Sequence, residues 1–184
     1  MRLFIASNFQ VATVLAIEAA VARVQPRLPR SSWLKSEAYH LTYAFLGEHP
    51  ESVVAPLSAS LRKHLGDVSR IETRVGEPGF FPNEKRPRVG WLAVDPDLPL
   101  KSIGDRVRAS VQEAHVAFDE KPFVPHLTLV RMRAPWNRRD AENFLVELGT
   151  LRAPASTIDA VTLFASVLGS GGAIHTPVAT IRLG

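Results

Sequence analysis

Two phrases of this chain repeat the same chemistry at the same spacing: His40-Leu41-Thr42-Tyr43 and His126-Leu127-Thr128-Leu129. In an extended strand, residues two apart project from one face. Each phrase therefore offers an imidazole beside a hydroxyl, while Leu41/Tyr43 and Leu127/Leu129 turn the other way, toward a core. Imidazole is the side chain whose unperturbed pKa, about 6.5, lets charged and neutral forms coexist near neutral pH. Two imidazoles facing one cleft can divide the work, one as general base and the other as general acid, each typically contributing about 10²–10⁴-fold. A phosphodiester suits such a pair. One proton must leave the nucleophile, another must reach the departing alkoxide, and the developing phosphorane needs hydrogen-bond donors. Thr42 and Thr128 can donate to the non-bridging oxygens. This design requires no metal.

One such phrase alone means little, because Thr is a common strand residue and a histidine in an apolar strand is commonly structural. The duplication, in a chain with only six histidines, favours the catalytic reading. His49, His64 and His115 read as loop or helix-surface residues, and His175 is left open between a surface strand and the rim of a site. No His-Glu-x-x-His or other close metal-ligand spacing is present, nor a Gly-x-x-x-x-Gly-Lys-Ser/Thr phosphate loop. The absence of cysteine removes disulfides, thiolate chemistry and Cys-ligated zinc or iron–sulfur sites.

The elements that must position these groups alternate along the chain. Residues 2–6 read as a strand and 10–24 as a helix, followed by a Pro-punctuated loop. Residues 39–46 form the first motif strand, stopped by Gly47. Ser52 reads as the N-cap of a helix with the stripe Val53, Leu57, Leu61 and Leu65, ended by Gly66. Residues 70–75 and 88–94 read as strands around a Pro/Gly-rich turn at 76–83. Leu100, Ile103, Val107 and Val111 mark a third helix, 126–131 the second motif strand and 140–148 a short helix. Strands at 157–167 and 176–183 close the chain around a glycine-rich turn at 169–172. The order is βαβαββαβαββ, an α+β arrangement with no linker dividing it, so residues 1–184 are expected to form a single domain of two similar lobes.

Of the 184 residues, 46% are hydrophobic and 22% charged, ordinary for a globular chain with a core. The first residues are too short an apolar run for a secretory segment, and no stretch approaches the roughly 20 apolar residues that span a bilayer. A monomeric, cytoplasmic protein is expected. The net charge is +4, with basic clusters at 23–35, 84–88 and 131–139, as would suit a phosphate ester or polyanion. A non-catalytic RNA-binding module using these clusters with Trp33, Phe45, Trp91 and Trp136 is the alternative from another class, but pure binding has no need of two matched His-Thr pairs.

Longer phrases carry a resemblance: Arg2-Leu3-Phe4-Ile5-Ala6, His40-Leu41-Thr42-Tyr43-Ala44-Phe45-Leu46-Gly47-Glu48, Arg86-Pro87-Arg88-Val89-Gly90-Trp91, Phe123-Val124-Pro125-His126-Leu127-Thr128-Leu129-Val130-Arg131 and Val161-Thr162-Leu163-Phe164-Ala165-Ser166. The pattern resembles the 2H phosphoesterase superfamily, and within it the bacterial and archaeal RNA 2′,3′-cyclic phosphodiesterases of the LigT/ThpR type, historically called 2′-5′ RNA ligases. The resemblance implies a bilobal α+β fold with pseudo-twofold symmetry, two antiparallel-rich concave sheets flanked by helices around a central cleft. It implies metal-independent and cofactor-free hydrolysis of RNA or nucleotide 2′,3′-cyclic phosphate to a 2′-phosphomonoester, with 2′-5′ RNA ligation as a related activity. Carried over, His40 is the proton donor to O3′, His126 the proton acceptor from water, and Thr42, Thr128 and Arg131 bind substrate. Strand alternation alone would put Arg131 opposite His126 unless the strand bends. Where the family usually has Gly-x-x-Tyr near the C terminus, this chain has Gly171-Gly172-Ala173-Ile174-His175. Related enzymes opening ADP-ribose cyclic phosphate or cleaving 2′-5′ oligoadenylate share both motifs and are the nearer alternatives.

Overall fold

A computed structural model describes residues 1–169 and 172–184, so the turn expected at 169–172 falls partly outside the described residues. The elements are β1 (Arg2–Asn8), α1 (Val11–Val24), β2 (Ser32–Trp33), β3 (His40–Glu48), α2 (Val54–Leu65), β4 (Ile71–Phe81), β5 (Val89–Asp95), α3 (Asp97–Glu113), β6 (His126–Arg131), α4 (Arg138–Gly149), β7 (Ser156–Ile158), β8 (Ala160–Gly169) and β9 (Gly172–Arg182). The α+β class is as expected.

The antiparallel strands run in the order β7-β4-β5-β6-β3-β1-β8-β9, with β2 pairing β6 beside this path. The two halves of this order correspond. β3 matches β6, β1 matches β5, β8 matches β4 and β9 matches β7, while α1 and α2 match α3 and α4 in their positions along the chain. The two concave halves meet through one register pair, Leu41 opposite Leu127. Both leucines are fully buried. They join the halves on the core side, and β3 and β6 part company on either side of that point.

Helical stripes cover one face of the sheet. Ile17, Val21 and Val24 of α1, Leu57, Leu61 and Leu65 of α2, Leu100, Ile103, Val107 and Val111 of α3, and Phe144 and Leu148 of α4 share one core with Leu3, Ile5, Tyr43, Leu92, Val94 and Leu129. The i, i+3/i+4 recurrence of these residues lays each helix on the sheet along one side. The opposite, open face carries its own small cluster of Phe4, Ala6 and Phe164.

Four local expectations are corrected. Residues 76–81 are not a turn but the second half of β4, which crosses an irregularity between Val75 and Pro78 and continues to Phe81. The glycine at 79 serves a close approach, since a Cβ there would lie 2.4 Å from the Trp91 ring. Ser52 lies in a 3₁₀ turn (Glu51–Val53) and caps nothing; α2 starts after Val53 with no side-chain cap. The first closing strand is two strands, β7 and β8. Gly47 does not end β3; it is its second-last residue, at φ 79°.

Candidate active site

Both motif strands bend at the same place. Along β1, Ile5 pairs with Ala44 and Ala6 with Thr42, leaving Tyr43 as an extra residue in β3. Along β5, Gly90 pairs with Val130 and Trp91 with Thr128, leaving Leu129 as an extra residue in β6. Each bulge therefore falls three residues after the motif histidine. A bulge shifts the alternation by one. Tyr43 and Ala44 are both buried, as are Leu129 and Val130, and the next residues, Phe45 and Arg131, emerge exposed. The Arg131 side chain thus joins His126 and Thr128 on the open face, and Phe45 takes the equivalent place beside His40 and Thr42.

The Leu41–Leu127 pair sets the spacing. Leu41 and Leu127 lie between the residues of their own His-Thr sets, so the one cross-strand pair brings the two sets together at the seam between the halves. Both imidazoles and both hydroxyls therefore flank that seam from its open face. All four residues are half-buried.

The surroundings of the two rings differ. The His126 Nδ1 meets the Val124 carbonyl oxygen at 2.7 Å. With Nδ1–H donating there, Nε2 is left as a proton acceptor toward the open face. The segment preceding the strand holds that carbonyl in place. Phe123 packs against the Tyr43 ring, at 5.3 Å between centroids, and against Gly104, where a Cβ would clash at 2.6 Å. Phe81 presents an edge contact to His126 at 4.9 Å, and Trp91 lies at 6.1 Å. Burial, opposed by the Val124 contact, and then the charge of Arg131 hold the His126 pKa below its ordinary value.

His40 packs against Phe4, at 5.0 Å between ring centroids, and Phe4 in turn stacks on Phe164 at 5.1 Å. The edge of a third imidazole, that of His175 on β9, approaches His40 at 5.5 Å. Burial first, then His175 and Arg131, push the His40 pKa down to about 4. Arg131 depresses both imidazoles, so its guanidinium serves the space they share.

The other residues singled out in the sequence divide between face and core. Phe45 and Trp91 belong to the open face. Trp33 and Trp136 do not; they pack on each other and on Phe144 in the core, which removes them as stacking platforms. His49 Nε2 is hydrogen-bonded to the Leu46 and Ala117 carbonyls, and His64 pairs with Glu113 at 2.7 Å. Among the described residues no cluster of three or more His, Asp or Glu side chains is placed to hold a metal ion. No described helix is long and apolar enough to cross a membrane. Phe4, Phe81 and the Val124 carbonyl escape the sequence reading. Phe4 alone left a signal, by alternating with the core residues Leu3 and Ile5.

Comparison with known proteins gives a consistent picture. The model of the 2′-5′ RNA ligase superfamily matches residues 13–167. A protein of Methanothermobacter thermautotrophicus named RNA 2′,3′-cyclic phosphodiesterase is 28% identical over 169 residues, 89% of this chain and 90% of its own. One of the same name from Geobacillus stearothermophilus is 28% identical over 131 residues, 68% of this chain but only 42% of the relative's own length. Among solved structures, E. coli LigT complexed with 3′-AMP superposes with a TM-score of 0.75 at 22% identity, covering 99% of this chain and 96% of that one.

Proposed function

We propose that this chain, which belongs to the 2′-5′ RNA ligase superfamily, hydrolyses the 2′,3′-cyclic phosphate of RNA ends or nucleotides to a 2′-phosphomonoester. The observation that carries the reading is the pair of His-Thr sets turned to one open face, with the cation of Arg131 acting on both imidazoles. The relatives' shared name and the 3′-AMP held by LigT support the substrate class.

In this reading His126, its Nδ1 engaged by Val124, accepts a proton from water through Nε2 as the water oxygen bonds to phosphorus. His40 gives a proton to O3′ as the O3′–P bond breaks. Thr42, Thr128 and Arg131 bind the non-bridging oxygens, whose charge grows in the transition state. Phe45, half-exposed beside Phe4, offers a flat face to the nucleobase. A 5′-hydroxyl in place of water would give a 2′-5′ linkage by the same proton transfers. We read residues 1–184 as one domain, acting as a monomer in the cytoplasm.

The depressed His40 sharpens the argument. The acid must be charged when O3′ leaves, yet burial, the neighbouring His175 imidazole and the Arg131 cation oppose that charge. A bound cyclic phosphate brings one negative charge to the same place, offsets Arg131 and favours the imidazolium. Substrate thus helps load its own acid.

The test is a panel of 2′,3′-cyclic mononucleotides, cyclic-phosphate-ended RNA, ADP-ribose cyclic phosphate and 2′-5′ oligoadenylate, with product phosphates located by ³¹P NMR. Formation of 2′-phosphate from the first two supports the reading. Turnover confined to either of the last two assigns a different enzyme of the superfamily, and binding without turnover assigns an RNA-binding module.

A further inference from the structure

His175 is used by neither motif, yet its ring is part of the site. It stands 5.5 Å from the His40 ring and 4.9 Å from the Phe4 ring, edge-on to both. Phe4 is itself 5.0 Å from His40. The three rings therefore form one mutual contact. His175 Nδ1 is buried without a hydrogen-bond partner, whereas its Nε2 is not among the buried orphan atoms. A proton on Nδ1 would be buried without an acceptor, which costs free energy, so the neutral ring carries its proton on Nε2. The other half of the sheet has no counterpart, because β7 is a three-residue strand where β9 has 11. The two halves also differ in how they hold their histidines. A backbone carbonyl orients His126, while among the described residues no hydrogen bond orients His40, which is held by rings alone.

We propose that His175 is a positioning residue for the acid, clamping the His40 imidazole with Phe4 and coupling to it so that the two rings compete for one proton. This rests on the cyclic phosphodiesterase reading. With one proton shared, the pair carries a single positive charge opposite the phosphate. When O3′ takes the proton from His40, the O3′–P electron pair goes to O3′ and both rings are left neutral. Solvent then restores the proton to the pair. The groups facing this pair are His126 and Arg131 from β6, Arg2 from β1 and Glu48 from β3, while β8 contributes no titratable group. Glu48 is engaged by the N-terminal ammonium at 3.5 Å, and among the described residues His175 is the one titratable side chain in ring contact with His40.

The experiment follows the imidazole C2–H resonances against pH in the whole chain, in H175Q and H175F, and in H40A, alongside the pH profile of kcat/KM on a cyclic nucleotide. The proposal expects the His40 titration in the unmodified protein to carry a second inflection from His175. In H175Q that inflection disappears, the His40 midpoint rises by about half a unit to one unit, and the acid limb of kcat/KM rises with it. H175F, which keeps a ring against Phe4, also loses the inflection. In H40A the His175 midpoint rises by the same amount, since coupling is reciprocal. An unchanged His40 titration in both His175 variants would overturn the proposal, even if activity fell. Because the titration needs no turnover, a chain that opened no cyclic phosphate would sink the functional reading separately.

Discussion

Replacing Arg131 by Gln should change rate and pH dependence in opposite senses. Arg131 reaches the open face only through the bulge at Leu129, and both imidazoles register its charge. In the proposed mechanism, loss of the cation removes a donor to the phosphorane. By analogy with the deletion of one oxyanion donor, kcat should fall about 10²–10³-fold, roughly 2.7–4 kcal/mol. The same loss relieves both histidines. As a scale, two unit charges about 7 Å apart interact by about 0.6 kcal/mol at a dielectric of about 80 and about 2.4 at about 20. With an exposed guanidinium the lower end applies, near 0.5 pKa unit.

The sign follows directly. A neighbouring cation disfavours the imidazolium, so its removal raises both histidine pKa values. Both limbs of the kcat/KM bell should then move toward higher pH together, by about half a unit, while the maximum falls. The assay is kcat/KM on a 2′,3′-cyclic mononucleotide between pH 4 and 9, at fixed ionic strength, for the two proteins. A rate loss without movement of the limbs would mean that Arg131 meets the phosphate without facing the imidazoles. Unchanged limbs together with an unchanged rate would remove Arg131 from the site.

His40→Ala and His126→Ala should each lower turnover at least about 10²-fold, with the double variant little worse than the poorer single one, because cooperating groups are not additive; near-normal turnover in either single variant would strike that residue from the mechanism. Both imidazoles sit below their ordinary pKa, His40 at about 4, so the kcat/KM optimum should lie on the acid side of 6.5, and the kcat optimum should lie higher because the bound phosphate favours the imidazolium. A kcat/KM maximum above neutrality would contradict that electrostatic account. Activity should survive exhaustive EDTA treatment, and a loss restored only by a divalent ion would overturn the acid–base mechanism.

Much of the site was legible because period-two alternation and the repeated phrase are both strong local signals. His40, Thr42, His126 and Thr128 all share the open face, as strict alternation requires. Alternation fails after each Thr, and the failure has a trace in the sequence. Tyr43-Ala44 and Leu129-Val130 are adjacent apolar pairs in otherwise alternating strands, the mark of an extra residue. Taken seriously, that mark predicts Arg131 and Phe45 on the open face. The Gly76–Phe81 segment misled for a related reason. Glycine and proline usually signal turns, but Gly79 is there to admit the Trp91 ring, a contact between residues far apart in sequence that no local pattern reveals. The Val124 carbonyl on His126 was equally hidden, because a backbone acceptor has no sequence signature.

Two nearly identical motifs would ordinarily give two nearly identical groups, and acid–base catalysis needs the reverse. The fold supplies the difference outside the motifs. After equivalent bulges, one strand presents Phe45 and the other Arg131, so one side of the cleft offers a flat apolar face and the other a cation. A carbonyl locks the His126 tautomer with Nε2 ready to accept a proton. His40 has no such lock and leans on aromatic rings beside another imidazole. The paired geometry comes from the duplicated half-structure, while the proposed division of labour rests on residues that the duplication does not share. Grafting the asymmetry is therefore a sharper test than deleting a motif. A chain in which Phe45 and Arg131 exchange places keeps both His-Thr sets intact, yet on the proposed mechanism should lose most of its turnover, because the cation assigned to the phosphate has moved to the side of the assigned acid. Full activity in that exchange variant would show that the motifs alone define the roles.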